Sequence, residues 1–99
     1  MMEAIDRKFT IDATCREHGH VFTEADAVLF LAKDKALPAT LKFYREWCQR
    51  IGADERQLLG IDLLIQRVEA WQAANPDRVK IPDVDLSTAG DAIIAPNRL

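Results

Sequence analysis

The chain has 99 residues, 48% apolar and 29% charged, with 13 basic against 16 acidic side chains and a formal net charge of −3. That is enough for one hydrophobic core but not two, and the balance argues against intrinsic disorder over most of the length. The mild acidity withholds the long-range attraction that nucleic acid or an anionic membrane surface usually requires, and no apolar run approaches the roughly 20 residues of a membrane span.

A single domain over residues 1–99 is expected, with 1–7 and about 86–99 as candidate flexible ends. The opening MMEAIDRKF carries no hydrophobic signal segment. With only two cysteines in the chain, the expected compartment is a reducing cytoplasm, where a disulfide between them would be unusual.

The first regular segment is KFTIDAT, Lys8 to Thr14. Phe9, Ile11 and Ala13 alternate with Thr10, Asp12 and Thr14, the period-two signature of a strand with one buried face. The short return HVFT, His20 to Thr23, follows Gly19, so a β-hairpin is the simplest reading. With His18 and Gly19 as the two central turn residues, Cys15 faces Phe22, Arg16 faces Val21 and Glu17 faces His20. One face then collects Phe9, Ile11, Ala13, Cys15 and Phe22, which places Cys15 in the core and His18 at an exposed tip.

Thr23 and Asp26 form an approximate capping box, predicting a first helix over about Glu24–Ala36 with an apolar, buried middle. A buried strand through AVLFLA is the less favoured alternative. Pro38 suits the first turn of a second helix, about 38–51. There Leu41, Tyr44, Cys48 and Ile51 form one stripe, widened by Phe43 and Trp47, while Lys42, Arg45, Glu46, Gln49 and Arg50 fill the other side. Gly52 is placed for a left-handed C-terminal cap. Asp54 then caps a third helix, about 54–74, with Gln57 as its capping-box partner.

The third helix carries Leu58, Ile61, Leu64, Ile65, Val68 and Trp71 on its main stripe and stops at Asn75-Pro76. Leu59, Leu63 and Ala70 project from the opposite side, where a water-facing helix would not normally expose two leucines. Either another part of the chain or another copy of it is expected to cover them. Beyond Pro76 the pattern reads as an extended tail, with Val79, Ile81 and Val84 as candidates to lie over the core, and Ile93 and Ile94 to dock on a partner.

The candidate chemistry is sparse. Cys15, His18 and His20 look like metal ligands, but the two-residue turn separates His18 from Cys15, and paired ligand spacing is missing. A Cys15–His20 thiol pair lacks an orienting carboxylate and an oxyanion motif. DVDLSTAGD, Asp83 to Asp91, has oxygen ligands at a calcium loop's first, third and fifth positions, but Thr88 replaces its glycine and Ile94 its glutamate. Metal binding and catalysis are therefore both disfavoured, and no cofactor is expected. Between residues 33 and 50, Lys33, Lys35, Lys42, Arg45 and Arg50 outnumber Asp34 and Glu46. Lys42, Arg45 and Arg50 would be the contacts of a nucleic-acid-binding alternative.

The aromatic set Phe43, Tyr44, Trp47 and Trp71 can be core, including a Trp47–Trp71 stack between helices. Phe43 and Trp47, with Leu59 and Leu63, also look like a protein-binding surface. The sequence thus implies an α+β, mostly helical fold: an N-terminal β-hairpin packed on two to three helices, with an extended C-terminal tail. The expected role is a small non-catalytic interaction module or oligomer subunit whose partner is itself or another protein, without nucleic acid or membrane. A metal or thiol protein using Cys15 and His20 is the second alternative.

Overall fold

A computed structural model describes residues 4–82 of the chain. An antiparallel hairpin of β1 (Asp12–Thr14) and β2 (Val21–Thr23) precedes two helices, α1 (Leu37–Arg50) and α2 (Glu55–Ala74), and a short 3-10 turn at Pro76–Arg78. The fold is α+β. The described residues group into two compact units, 4–29 and Phe30–Pro82. Val84, Ile93, Ile94, the DVDLSTAGD segment and the expected flexible end at 86–99 lie outside the described residues.

The first unit is built on carboxylates that collect backbone N–H groups. Asp6, only 6% exposed, accepts from Lys8 and Phe9 through Oδ1, both at 2.8 Å, and from Leu29 through Oδ2 at 2.9 Å. Three donors to one carboxylate offset the cost of removing that charge from water. Glu24 binds the same segment twice. Its carbonyl accepts from Ile5 and Asp6, and its Oε1 accepts from Ile11 at 2.8 Å. The Ile11 N–H holds the Glu24 carboxyl below its ordinary range, against the opposing charge of Asp6.

These bonds account for the missing first helix. Residues 24–36, expected to be helical, run as turns and irregular chain. The cap does form: Thr23 N–H donates to Asp26 Oδ1 at 3.0 Å, and Thr23 Oγ1 accepts from Ala25 N–H at 3.2 Å. No helix propagates from it, because the Leu29 N–H that would bond back to Ala25 is taken by Asp6. The β-branched and aromatic residues Val28 and Phe30 add little helical preference to resist this.

The hairpin has a different register from the one expected. Ala13 faces Phe22, Thr14 faces Val21 and Asp12 faces Thr23. Cys15 N–H then donates to His20 O, and Gly19 N–H to Cys15 O, both at 2.7 Å. The loop is therefore four residues long, 16–19, and Gly19 takes the left-handed conformation at φ 76°. The slip is by a whole pleat, so Ala13, Cys15, His20 and Phe22 still share one side. That side is not buried: both strands are exposed, while Phe9, Ile11 and Cys15 are half-buried.

In the second unit the connection between helices decides the packing. At the end of α1, Ala53 N–H donates to Cys48 O and Gly52 N–H to Gln49 O, with Gly52 at φ 87°. This is a Schellman cap, and its hydrophobic contact is made by Ala53 against the core cluster that contains Cys48. Asp54 starts α2, its Oδ1 accepting from Arg56 N–H at 2.7 Å and from the Arg56 guanidinium at 3.2 Å. The cap is the expected residue, although the carboxylate takes Arg56 rather than closing a box with Gln57. So short a connection lays α2 antiparallel to α1, with Cys48, Leu58, Ile61 and Ile65 as the buried core and Leu41 and Ala53 packed on it.

The other end of this unit is tied by hydrogen bonds. Gln72 Nε2 donates to Ala32 O and Asp34 O, and Lys80 bridges to Lys33 and Lys35 in parallel. Val79 is half-buried there and Ile81 is exposed.

Two substitutions should change stability in opposite directions although neither meets a neighbouring atom. A Cβ at Gly52 or Gly60 would stand in open space, but only Gly52 has positive φ. Gly52→Ala is expected to destabilise by about 1–2 kcal/mol, and Gly60→Ala, in the interior of α2, to stabilise by about 0.5–1 kcal/mol. Urea unfolding of both variants checks the sign.

Asp54 adds a pH dependence. The Arg56 side chain and its N–H hold the Asp54 carboxyl below its ordinary value. Its contribution is then fully present above the unfolded-state pKa and is lost as pH falls through the lowered folded value. Asp54→Ala should lower Tm at neutral pH, and the difference from the parent should close in strong acid.

Candidate functional site

Two places in the described residues gather side chains capable of recognition or chemistry, the hairpin loop and the outer face of the helices. At the loop, the structure corrects the expectation that His18 and Cys15 stay apart. Cys15 Sγ lies 3.9 Å from His18 Nδ1, and the His18 and His20 rings stack with centroids 5.7 Å apart. The reason is the longer turn. Four loop residues with Gly19 left-handed curl His18 back over Cys15, where a two-residue turn would have held it at the tip.

A carboxylate also meets His18, the imidazole that reaches Cys15 in place of the expected His20. Glu17 Oε1 sits 3.2 Å from His18 Nε2, so thiol, imidazole and carboxylate stand in series. The backbone N–H groups of His18 and then Glu17 hold the Cys15 thiol below its ordinary pKa, slightly opposed by burial. The arrangement can favour a thiolate, and Glu17 and His18 stand largely in solvent. Among the described residues, no group of three or more His, Cys, Asp or Glu side chains is placed to hold a metal ion.

The helices carry the larger feature. α1 turns Leu37, Leu41 and Cys48 toward the interior, and Arg45 lies half-buried beside them. This differs from the expected stripe, since Tyr44 is exposed and Ile51 is 76% exposed. Ion pairs on one flank explain the rotation. Arg45 meets Asp62 of α2 through two bonds, Nε–Oδ1 at 2.9 Å and Nη2–Oδ2 at 3.3 Å, and Lys42 meets Glu69 at 3.0 Å. Drawing these two cations toward α2 swings the apolar arc containing Tyr44, Trp47 and Ile51 outward.

Phe43, Trp47 and Ile51, four residues apart, therefore form a ridge along the outside of α1. Phe43 is 63% exposed and Trp47 47%, and their rings meet edge-on with centroids 6.3 Å apart. Arg50 lies over the Trp47 ring at 5.3 Å and pairs with Glu46 at 3.2 Å. Tyr44 borders the ridge, its hydroxyl raised above its usual range by the hydrogen-bonded Cys48 thiol. Trp71 does not stack on Trp47; it is half-buried, with Arg78 over its ring at 5.1 Å.

α2 is placed as its periodicity predicts. Leu58, Ile61, Ile65 and Val68 are buried, Leu64 alone of the expected stripe's leucines turning outward. Leu59 and Leu63 are exposed at 57% and 43% on the far side of that stripe. The structure thus brings Phe43 and Trp47 into contact and puts Leu59 and Leu63 on a separate ridge of the other helix.

The three cations of the nucleic-acid alternative are each paired with a carboxylate: Lys42 with Glu69, Arg45 with Asp62, Arg50 with Glu46. Sequence reasoning missed these pairs because two of the acids lie on the other helix. It also missed Asp6, whose only sequence signal is an aspartate two residues before a lysine N–H it could bond, a common Asx turn.

Compared with known proteins, the chain matches no family model, no curated relative and no solved structure. Among the described residues no helix is long and apolar enough to cross a membrane.

The two free thiols should behave differently. Cys15 is half-buried with a lowered pKa, and Cys48 is 6% exposed. Iodoacetamide applied to the native protein should label Cys15 near neutral pH and reach Cys48 only on unfolding. Peptide mass spectrometry across a pH series checks it, and equal native rates would contradict the geometry.

Proposed function

We propose that this chain is a small, non-catalytic protein–protein interaction module. It works by burying the outer ridge of α1, with the Leu59–Leu63 ridge of α2 as a second contact, against a protein partner: a second copy or another subunit. The single observation that carries this reading is the contiguous exposed run Phe43, Trp47 and Ile51, bordered by Tyr44 and rimmed by the Glu46–Arg50 pair.

The physical support is twofold. A helix pair is one layer of structure, and an apolar arc wider than the contact between the two helices needs a further layer to cover it. Aromatic residues at the centre of such a patch are also what interfaces enrich, and a polar rim is where they place their charges. A reducing, cytoplasmic setting belongs to the same proposal, since Cys15 and Cys48 are both free thiols.

Nucleic-acid binding gains less support. A cation already paired with a carboxylate must give up that partner before it can contact phosphate.

A photoreactive amino acid tests the module directly. Placed at position 43 or 59 and activated in cells of the native host, it should cross-link to protein, whereas at Arg16 in the exposed hairpin loop it should not. Absence of a protein adduct at both ridge positions would overturn the reading.

A further inference from the structure

We infer that Cys15 is a site of reversible modification by small-molecule disulfides of the glutathione class, with His18 as the base that activates its sulfur and Glu17 as the group that orients His18. The inference is independent of the α1 ridge and of any partner that ridge has. It comes from the side chains and amides that the hairpin loop brings to one sulfur.

Cys15 Sγ lies 3.9 Å from His18 Nδ1, and His18 Nε2 lies 3.2 Å from Glu17 Oε1. The two contacts use opposite nitrogens of one ring, and that division places the proton. An ionised carboxylate only accepts, so Nε2 carries the hydrogen and Nδ1 turns its lone pair to the thiol. His20 stacks on His18, ring centroids 5.7 Å apart, and limits the swing of the imidazole. The backbone N–H groups of His18 and Glu17 also point at the sulfur and lower its pKa. That is the setting in which a thiolate forms near neutrality.

The chain's two cysteines divide the outcomes. Cys15 is half-buried, and its neighbours His18 and Glu17 are 61% and 82% exposed, so a dissolved molecule reaches the loop. Cys48 is buried in the helical core and is withheld from exchange. An adduct on Cys15 therefore meets no second thiol that could displace it as an internal disulfide. The product is a mixed disulfide that persists until an external thiol removes it.

The step balances without a further reagent. His18 Nδ1 takes the Cys15 proton, and the thiolate attacks one sulfur of R–S–S–R in line with the S–S bond. The new Cys15 S–S bond forms as the old one breaks, and the departing R–S⁻ takes the proton from His18 and leaves as R–SH. The Cys15 sulfur is oxidised and the departing sulfur reduced; attack by R–SH reverses the exchange.

Glutathione disulfide added to the native full-length chain at neutral pH, followed by intact and peptide mass spectrometry, tests the inference. One adduct should form, on Cys15, and reduced glutathione in excess should remove it. It should form about threefold or more faster than on the same cysteine in urea, a modest gain because a more acidic thiol is a weaker nucleophile. His18→Gln should slow the native reaction about threefold or more, with Glu17→Gln and His20→Asn each slowing it less. The His18→Gln deficit should vanish in alkali, where the thiol ionises without a base, whereas a loop distorted by the substitution would stay slow at every pH.

A native Cys15 that reacts no faster than in urea, or no faster than Cys48, overturns the inference. His18→Gln reacting at the parent rate at neutral pH, or remaining slow in alkali, overturns the role of His18. A larger loss in His20→Asn than in His18→Gln does the same.

Discussion

The turn from Ile51 to Asp54 is the constraint on which the helical unit depends. Gly52 reverses the chain in the left-handed region, Ala53 closes the Schellman bond to Cys48, and Asp54 caps the next helix. With so little chain between the helices, their antiparallel direction is set before any side chain packs. Cys48 is delivered to Leu58 and Ile61, and the core follows from that pairing. The two interhelical ion pairs then choose which arc of α1 looks inward. What is left outside is a consequence of this choice rather than a separate feature: an aromatic ridge with nowhere in the pair to go.

The first unit is organised by a different economy of interactions. Its strands are three residues each and exposed on both faces, so hydrophobic burial does little to hold it. Asp6 and Glu24 do the holding, gathering N–H groups from the stretch 5–11 and from Leu29, which form no regular ladder. Buried or partly buried carboxylates of this kind specify one conformation sharply, since any rearrangement leaves a charge without donors.

How much was legible in the sequence follows from how local each signal is. Gly52, Asp54, Pro38 and the stop at Asn75-Pro76 act within a few residues, and both helices appear where those residues put them, within one position. The Leu58–Val68 stripe has the same local origin in its three–four spacing. The span 24–36 failed for the complementary reason: Thr23 and Asp26 do make their cap, but a carboxylate eighteen or more positions earlier diverts the chain. Likewise, Tyr44 and Ile51 read as core on hydropathy alone, and the acids that rotate them outward belong to the facing helix. At the hairpin, alternation gave the correct faces but could not count the loop, and that count decided whether His18 reached Cys15. Phe43, Trp47, Leu59 and Leu63 were legible as exposed apolar positions; their division into two ridges was not.

The clasp formed by Gln72 and Lys80 has a topological meaning beyond its few hydrogen bonds. One side-chain amide grips the carbonyls of Ala32 and Asp34, and Lys80 exchanges bonds with Lys33 and Lys35 on the same stretch. The strand of chain entering the helical pair and the strand leaving it are thereby fastened side by side. The whole helical hairpin becomes a loop pinched shut at its neck, part of its entropy of closure met by these local bonds. A piece of protein whose two ends emerge together is a natural insert. Closely spaced ends of this kind are the geometry at which insertion of a segment into another chain is best tolerated.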